Sequence, residues 1–258
     1  MNEMRPLAVV GDVHGDIQWL RDVAVSCARE NVRTILQVGD LGLDWPGRNR
    51  ARLETRLERL LAAEGMTMVT CGGNHDNWDT LSSLPVQPDG LATWRPHIRF
   101  LPRGRRATIE GLTVGALGGA FSLDGPPLRT EGKDWWANEE PTPEEALNLV
   151  AGGHVDILLT HDVPAGVPMK SEMDLPADVL ARANQTREII QMVVDELKPG
   201  HVFCGHWHVQ VTHELQHPTG ERTRVNVLAH EYNRWGNAVL VRPGPLTLTV
   251  ESLHVRGR

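Results

Sequence analysis

Up to residue 71 the chain alternates between two kinds of apolar pattern. Leu7-Ala8-Val9-Val10 is an unbroken apolar run closed by Gly11, as expected of a short strand buried on both faces. Ile17, Leu20, Val23, Ala24 and Cys27 then recur at the three- and four-residue spacing of one helical face. Residues 34–38 predict a second strand ending at Gly39, and Leu53, Leu57, Leu60 and Leu61 a second amphipathic helix. Residues 66–71 complete the pattern with a third strand before Gly72-Gly73. Strands alternating with helices in this way predict a βαβαβ unit with parallel strands.

Downstream the pattern is richer in strands. Residues 106–109 and 112–114 flank Glu110-Gly111 as a hairpin. Residues 142–150 predict a short helix, with Thr142 at the cap and Glu145 three residues on. Ile157-Leu158-Leu159-Thr160 reads as a buried strand. Residues 184–197 read as a helix with Ile189, Ile190, Val193, Val194 and Leu197 inward, stopped by Pro199-Gly200. Residues 201–204 predict a further strand, and the tail from Val209 predicts antiparallel strands with a turn at Pro218-Thr219-Gly220. Neither a repeat nor a linker interrupts the pattern. The expectation is one α/β domain over residues 1–258, with a two-layered sheet core flanked by helices.

Composition narrows this picture without redirecting it. The 258 residues are 40% hydrophobic and 23% charged with a net charge of −7, ordinary values for a folded protein and wrong for a disordered one. No apolar run approaches the ~20 residues of a membrane helix. The start has only four consecutive apolar residues after Pro6, short of an export signal's apolar stretch of about seven. Cys27, Cys71 and Cys204 are too scattered for a disulfide framework or a thiolate zinc site, and a cytoplasmic setting is expected. The acidic balance argues against broad nucleic-acid binding. Twelve histidines are the entry into the chemistry.

Three early strands end alike, in Gly11-Asp12-Val13-His14-Gly15, Gly39-Asp40-Leu41-Gly42 and Gly73-Asn74-His75-Asp76. Ligand sites in open α/β sheets lie beyond the carboxyl ends of strands, and glycine beside each polar residue allows close approach to an ion. Two later strands run into His161-Asp162 and Gly205-His206-Trp207-His208. In extended backbone, Asp12 and His14, like His206 and His208, would point to one side. The set is too large for one ion. Its mixed oxygen and nitrogen donors suit Mn, Fe, Zn, Co or Ni rather than calcium.

These blocks, in this order over residues 11–208, resemble the calcineurin-like metallophosphoesterases. The resemblance implies a β-sandwich flanked by α-helices and two divalent metal ions, manganese foremost. Asp12, His14 and His208 would hold the first ion, Asn74, His161 and His206 the second, and Asp40 would bridge them. A metal-bridging hydroxide would attack phosphorus, and His75, outside the metals, would sit near the leaving-group or phosphoryl oxygen and donate a proton to the departing alkoxide if protonated. Such a centre could attract an anionic ester even on an acidic chain. The activity implied is hydrolysis of phosphodiesters or phosphomonoesters, nucleotide-like ones included, on a small phosphorylated substrate.

Departures from the family shape the remaining expectations. Asp40-Leu41-Gly42-Leu43-Asp44-Trp45 lacks the Asp-Arg-Gly run of the phosphoprotein phosphatase branch, leaving Asp44 or Asp76 to orient His75. Asp162 is a candidate to orient His161. The stretch 118–124 followed by Trp135-Trp136 resembles small bacterial and phage members. Arg129 and Lys133 lie in a loop long enough to cover a site, and Arg129 is a candidate contact for substrate phosphate. Trp207 is expected to buttress its loop.

Three rival readings compete with this one. Arg95, Arg99, Arg103, Arg105 and Arg106 could serve a DNA or RNA nuclease, provided that they line the crevice of the metals. A non-catalytic metal-binding protein of the same fold is disfavoured by retention of every ligand and of His75. His213-Glu214-Leu215-Gln216-His217 matches the HExxH spacing, but it lies among strands and runs into a turn, whereas a zincin needs both histidines on one helix face. Finally, residues 230–233 form a late turn able to reach the site rim, for which ordinary loop chemistry is the expectation.

Overall fold

A computed structural model describes residues 5–170, 176–244 and 247–257. Residues 1–4, part of the start on which the export reading rests, lie outside them. Strands β1 (Leu7–Val10), β2 (Thr34–Gln37) and β3 (Thr67–Thr70) run parallel in one sheet, connected by α1 (Ile17–Arg29) and α2 (Arg52–Glu64). The βαβαβ unit is therefore as the periodicity predicts. Asp16 starts α1 by accepting from the backbone N–H groups of Gln18 and Trp19.

Helix α3 (Trp78–Ser83) and the hairpin of β4 (Ala92–Arg95) and β5 (Ile98–Phe100) were not foreseen. They are only three to six residues long, and Pro85, Pro88 and Pro96 break any periodicity. β5 continues the sheet parallel to β3, with β4 antiparallel at the edge.

The second sheet contains β6 (Arg105–Ile109), β7 (Leu112–Leu117), β8 (Ile157–Thr160), β9 (His201–Cys204), β10 (Val211–Gln216) and β11 (Arg222–Val227). β7, β8, β9 and β11 are mutually parallel, while β6 and β10 close the edges antiparallel. β12 (Ala238–Pro243) and β13 (Leu248–Ser252) return to the first sheet beside β1. The tail is thus not a simple antiparallel run, because β11 pairs parallel with β9. Helix α4 (Pro143–Ala151) has the expected Thr142–Glu145 capping box. Helix α5 (Ala177–Leu197) starts earlier than residue 184, where its opening turns are mostly exposed and carry no apolar stripe.

The two sheets pack face to face. Leu7, Val9, Leu36 and Val69 meet Val114, Ile157, Leu159 and Phe203 in the interior. The alternate residues Ala8, Val10, Ile35 and Met68 face Trp19, Leu20, Leu57 and Leu61 of α1 and α2. On the far side Leu158, Val202 and Val225 pack on Leu149, Ile190, Val193 and Val194 of α4 and α5. The two-residue period of a strand thus builds a helix–sheet–sheet–helix stack, the expected α/β sandwich. Among the described residues no helix is long and apolar enough to cross a membrane.

Candidate metal centre

The carboxyl ends of parallel strands from both sheets meet at one edge of the sandwich, and contacts between the residues beyond them define a polar crevice. Asp12 follows β1, Asp40 follows β2, Asn74 follows β3, His161 follows β8, and His206 and His208 follow β9. Asp40 is buried between two histidine sets. Its Oδ2 lies 3.4 Å from His14 Nε2, and its Oδ1 lies 3.3 Å from His161 Nε2. Asp12 Oδ2 lies 3.3 Å from His208 Nε2. Asn74 Oδ1 is 3.0 Å from His161 Nε2, and the His206 ring is 5.1 Å from that of His161.

The backbone that achieves this is not extended. His14, Asp40, His206 and His208 have φ of 45°, 57°, 64° and 56°, the left-handed region that non-glycine residues seldom occupy. Tight left-handed turns, not the alternation of an extended strand, therefore set the directions of His14, His206 and His208. Space for the carboxylates comes from glycine: a Cβ on Gly205 would overlap Asp12 Oδ1, and one on Gly73 would overlap Asp40 Oδ1.

The donor set fits divalent cations. Three overlapping groups (Asp12, His14, His208; His14, Asp40, His75; Asp12, Asp40, His161) place ligand-type atoms within 4.8 Å of one another. Two histidines are held so that one nitrogen is turned inward. His161 Nδ1 bonds the Val38 carbonyl at 2.8 Å, and His14 Nδ1 bonds Glu231 Oε2 at 2.8 Å. Each Nε2 is thereby turned towards Asp40, the orientation usual around metal-bound imidazoles.

The electrostatics describe a site competing for protons. Burial opposes charge on His14, but Asp40, Glu231 and Asp12 outweigh it and push its pKa up to about 9. Burial likewise opposes charge on His161, and Asp40 and Asp12 carry it up to about 10. Burial works against the Asp40 carboxylate too, yet the charges of His161 and His75 hold it well below its ordinary value. A cation must therefore displace protons from His14 and His161. Metal affinity should rise with pH through the neutral range, by about tenfold per unit for each ion that displaces one proton, and level off near pH 9 to 10. Calorimetry in buffers of different ionisation enthalpy measures the released protons; affinity independent of pH would contradict this arrangement.

Several expected partners are placed otherwise. Asp76 does not reach the His75 ring: it accepts from the N–H groups of Gly42, Leu43 and Gly73, each at 2.8 Å, and ties together the loops after β2 and β3. Burial and nearby Asp40 push Asp76 up to about 6. Asp44 takes the Arg50 guanidinium and the Thr80 hydroxyl instead. Asp162 does not orient His161, whose Nδ1 faces Val38; it accepts from Trp207 Nε1 at 2.9 Å and so anchors the residue between His206 and His208. Trp207 is thereby the buttress expected of it.

The neighbour of His75 is Arg129. Its Nη1 lies 2.7 Å from His75 Nδ1 and its Nη2 3.3 Å from Nε2, while Asp124 holds the guanidinium at 2.5 Å. Trp45 stacks beside the same imidazole at 6.1 Å and donates to the His75 carbonyl. Burial, assisted by the charges of Arg129, His14 and His161 and opposed by Asp40, lowers the His75 pKa.

Other residues at the site went unread. Glu231, beyond β11, grips His14, and His230 stacks on His208 at 4.7 Å, so this turn does more than ordinary loop chemistry. Ser122 accepts from Asn74 Nδ2 at 3.0 Å and is in turn bound to Glu139, which burial pushes up to about 7. If Glu231 orients His14, Glu231→Ala should weaken the ion beside Asp12 and His208 by about 10- to 100-fold and leave the other ion unchanged. Titration with Mn²⁺ resolves the two; equal loss at both would refute this local role.

The HExxH match lies on β10 and in the turn after it, where Thr223 Oγ1 accepts from His217 Nε2 at 2.8 Å. Three arginines of the basic cluster are engaged away from the ligands. Arg99 binds Asp89, Arg103 binds the carbonyls of Asn138 and Glu140, and Arg106 those of Leu149, Gly153 and His154.

A family model described as calcineurin-like phosphoesterase matches residues 5–210. No curated protein matches the chain. Among solved structures, the chain is similar to a dimetal phosphatase from Danio rerio, at 14% identity over 99% of this chain and 98% of that one, with a TM-score of 0.56. It is also similar to TT1561 of Thermus thermophilus, at 15% identity over 97% and 99% of the two chains, with a TM-score of 0.55. GAP50, the anchor in the inner membrane complex of Plasmodium, shares 11% identity over 98% of this chain and 86% of that one, with a TM-score of 0.52. At these identities the likeness is one of fold.

Proposed function

The chain belongs to the calcineurin-like phosphoesterase family and is a metal-dependent phosphoesterase, and we propose that it hydrolyses small phosphodiesters and phosphomonoesters with two divalent ions held about Asp40. The observation that carries this reading is the division of the Asp40 carboxylate, one oxygen towards His14 and the other towards His161. Asp12, His14 and His208 would complete one ion's ligands, and Asn74, His161 and His206 the other's. When bound, such ions supply Lewis acidity, acidifying a water and offsetting phosphoryl charge. Mixed oxygen and imidazole donors suit Mn, Fe, Zn, Co or Ni, and manganese, the ion the family resemblance implies, is the one proposed.

The protein's own groups arrange the ester. Arg129, steadied by Asp124, offers a fixed cation at the crevice for a phosphoryl oxygen. Its shorter contact is with His75 Nδ1, which must accept, so the hydrogen of a neutral His75 sits on Nε2. That N–H can donate to a phosphoryl or leaving-group oxygen. Trp45, 38% exposed beside His75, offers a flat face for a planar leaving group. The nuclease alternative finds less support, because Arg99, Arg103 and Arg106 are engaged elsewhere.

The test is hydrolysis of bis(p-nitrophenyl) phosphate and p-nitrophenyl phosphate by metal-stripped protein restored with Mn²⁺. We expect turnover that saturates at two ions per chain. No turnover of either ester with Mn, Fe, Zn, Co or Ni, or saturation at one ion, would overturn the reading.

A further inference from the structure

Ser122 and Glu139 sit behind Asn74, only 3% and 2% exposed, and neither belongs to the ligand set. Ser122 gives both of its donors to Glu139: the backbone N–H to Oε1 at 2.7 Å and the hydroxyl to Oε2 at 2.7 Å. Asn74 Nδ2 meets the same hydroxyl oxygen at 3.0 Å. A serine hydroxyl has one proton. Once that proton is committed to a carboxylate, which can only accept, Oγ has only lone pairs left for Asn74. The amide must therefore turn its NH₂ to Ser122 and its oxygen to the crevice, where Oδ1 lies 3.0 Å from His161 Nε2.

We propose that Glu139, acting through Ser122, is a positioning residue that fixes the polarity of the Asn74 amide, so that its oxygen rather than its NH₂ faces the second cation. The proposal rests on the reading of Asn74 as a ligand of that ion.

An isosteric exchange exposes the logic. In Glu139→Gln one oxygen becomes an NH₂ group. The backbone N–H of Ser122 cannot turn away, so the glutamine oxygen stays opposite it and the NH₂ meets Ser122 Oγ. The hydroxyl must then accept from the glutamine and aim its proton at Asn74. The asparagine is then satisfied only by presenting its oxygen to Ser122, which leaves its NH₂ towards the cation. No ligand is removed and hardly any volume changes, yet the polarity of the site is inverted.

The experiment counts Mn²⁺ after equilibrium dialysis and measures both affinities by calorimetry at about pH 8.5, above the value of about 7 to which burial pushes Glu139. Wild type should bind two ions. Glu139→Gln should weaken the second by about 10- to 100-fold and leave the first unchanged. Ser122→Ala, which deletes the acceptor without inverting it, should weaken the second ion by less. In the double variant the hydroxyl that transmits the inversion is gone, so binding should recover to the Ser122→Ala level. Wild-type affinity in Glu139→Gln or Ser122→Ala overturns the proposal, as does a double variant no better than Glu139→Gln, the mark of a packing role. Asn74→Ala separates the two levels. If it is defective while Glu139→Gln is normal, the proposal alone fails; if it too binds both ions normally, the ligand reading fails with it.

Discussion

Asp40→Ala is expected to lower kcat/KM for a chromogenic phosphodiester by at least about 10³-fold, and the variant should no longer hold two ions as a pair. The expectation follows from how much converges on one side chain. Asp40 is 1% exposed, its oxygens lie 3.4 Å and 3.3 Å from His14 and His161, and its Oδ1 accepts from the backbone N–H of His75 at 2.7 Å. Alanine removes the charge shared by both halves of the centre and the anchor of the loop that carries Asn74 and His75. It also removes the largest influence raising the pKa of His14 and of His161, so both imidazoles should shed their protons at a lower pH. Metal content by mass spectrometry should fall below two ions per chain, with far-UV circular dichroism little changed. A folded variant with two tightly held ions and more than a tenth of wild-type activity would refute the bridging role. Asp40→Asn is the finer probe. It keeps the shape and an oxygen for the His75 N–H, so a loss as deep as that of alanine would assign the effect to charge rather than to loop anchoring.

That these side chains gather at one edge was legible in the sequence, because their loops each follow a short apolar strand closed by glycine or threonine, and strand order then dictates a common edge. The means of convergence were not legible. His14, Asp40, His206 and His208 reach their places through left-handed backbone, which a pattern of apolar and polar positions does not encode. The missed residues share a topological cause. Ser122 lies beyond the carboxyl end of β7, and Glu231 beyond that of β11. Both strands pair parallel with distant partners, β7 with β8 and β11 with β9, whereas the sequence shows only their local antiparallel hairpins. With β7 and β11 read as hairpin arms, nothing sends their following loops to the edge where the other strands end. Glu139 is harder still, since it reaches Asn74 through a buried serine 17 positions away. The neighbour of His75 is hidden in the sequence for a related reason. A search for a carboxylate close in sequence finds Asp44 and Asp76, while the loop from Ser122 to Trp135 brings in a guanidinium instead.

His75→Ala is expected to keep both ions and to lose about 10²- to 10³-fold in turnover, the scale of one well-placed donor to developing charge. Metal should be retained because the oxygens of Asp40 already face His14 and His161, whereas His75 Nε2 stands off at 3.9 Å. Loss of an ion would instead make His75 a ligand, as its grouping with His14 and Asp40 allows. The nature of the activity loss then separates two roles. If His75 acted as an imidazolium acid, its removal would harm esters of basic leaving groups most, because those need a proton in the transition state. Burial and the Arg129 guanidinium both disfavour that charged form, and Arg129 donating to Nδ1 fixes the neutral ring with its hydrogen on Nε2. A neutral imidazole stabilises an oxygen by donating a hydrogen bond without giving up the proton. The loss should therefore be nearly uniform across p-nitrophenyl, phenyl and methyl phosphodiesters. A penalty that grows with leaving-group basicity would restore the proton-donor role, and would mean that the bound ester draws Arg129 off the imidazole and onto its own phosphoryl oxygens.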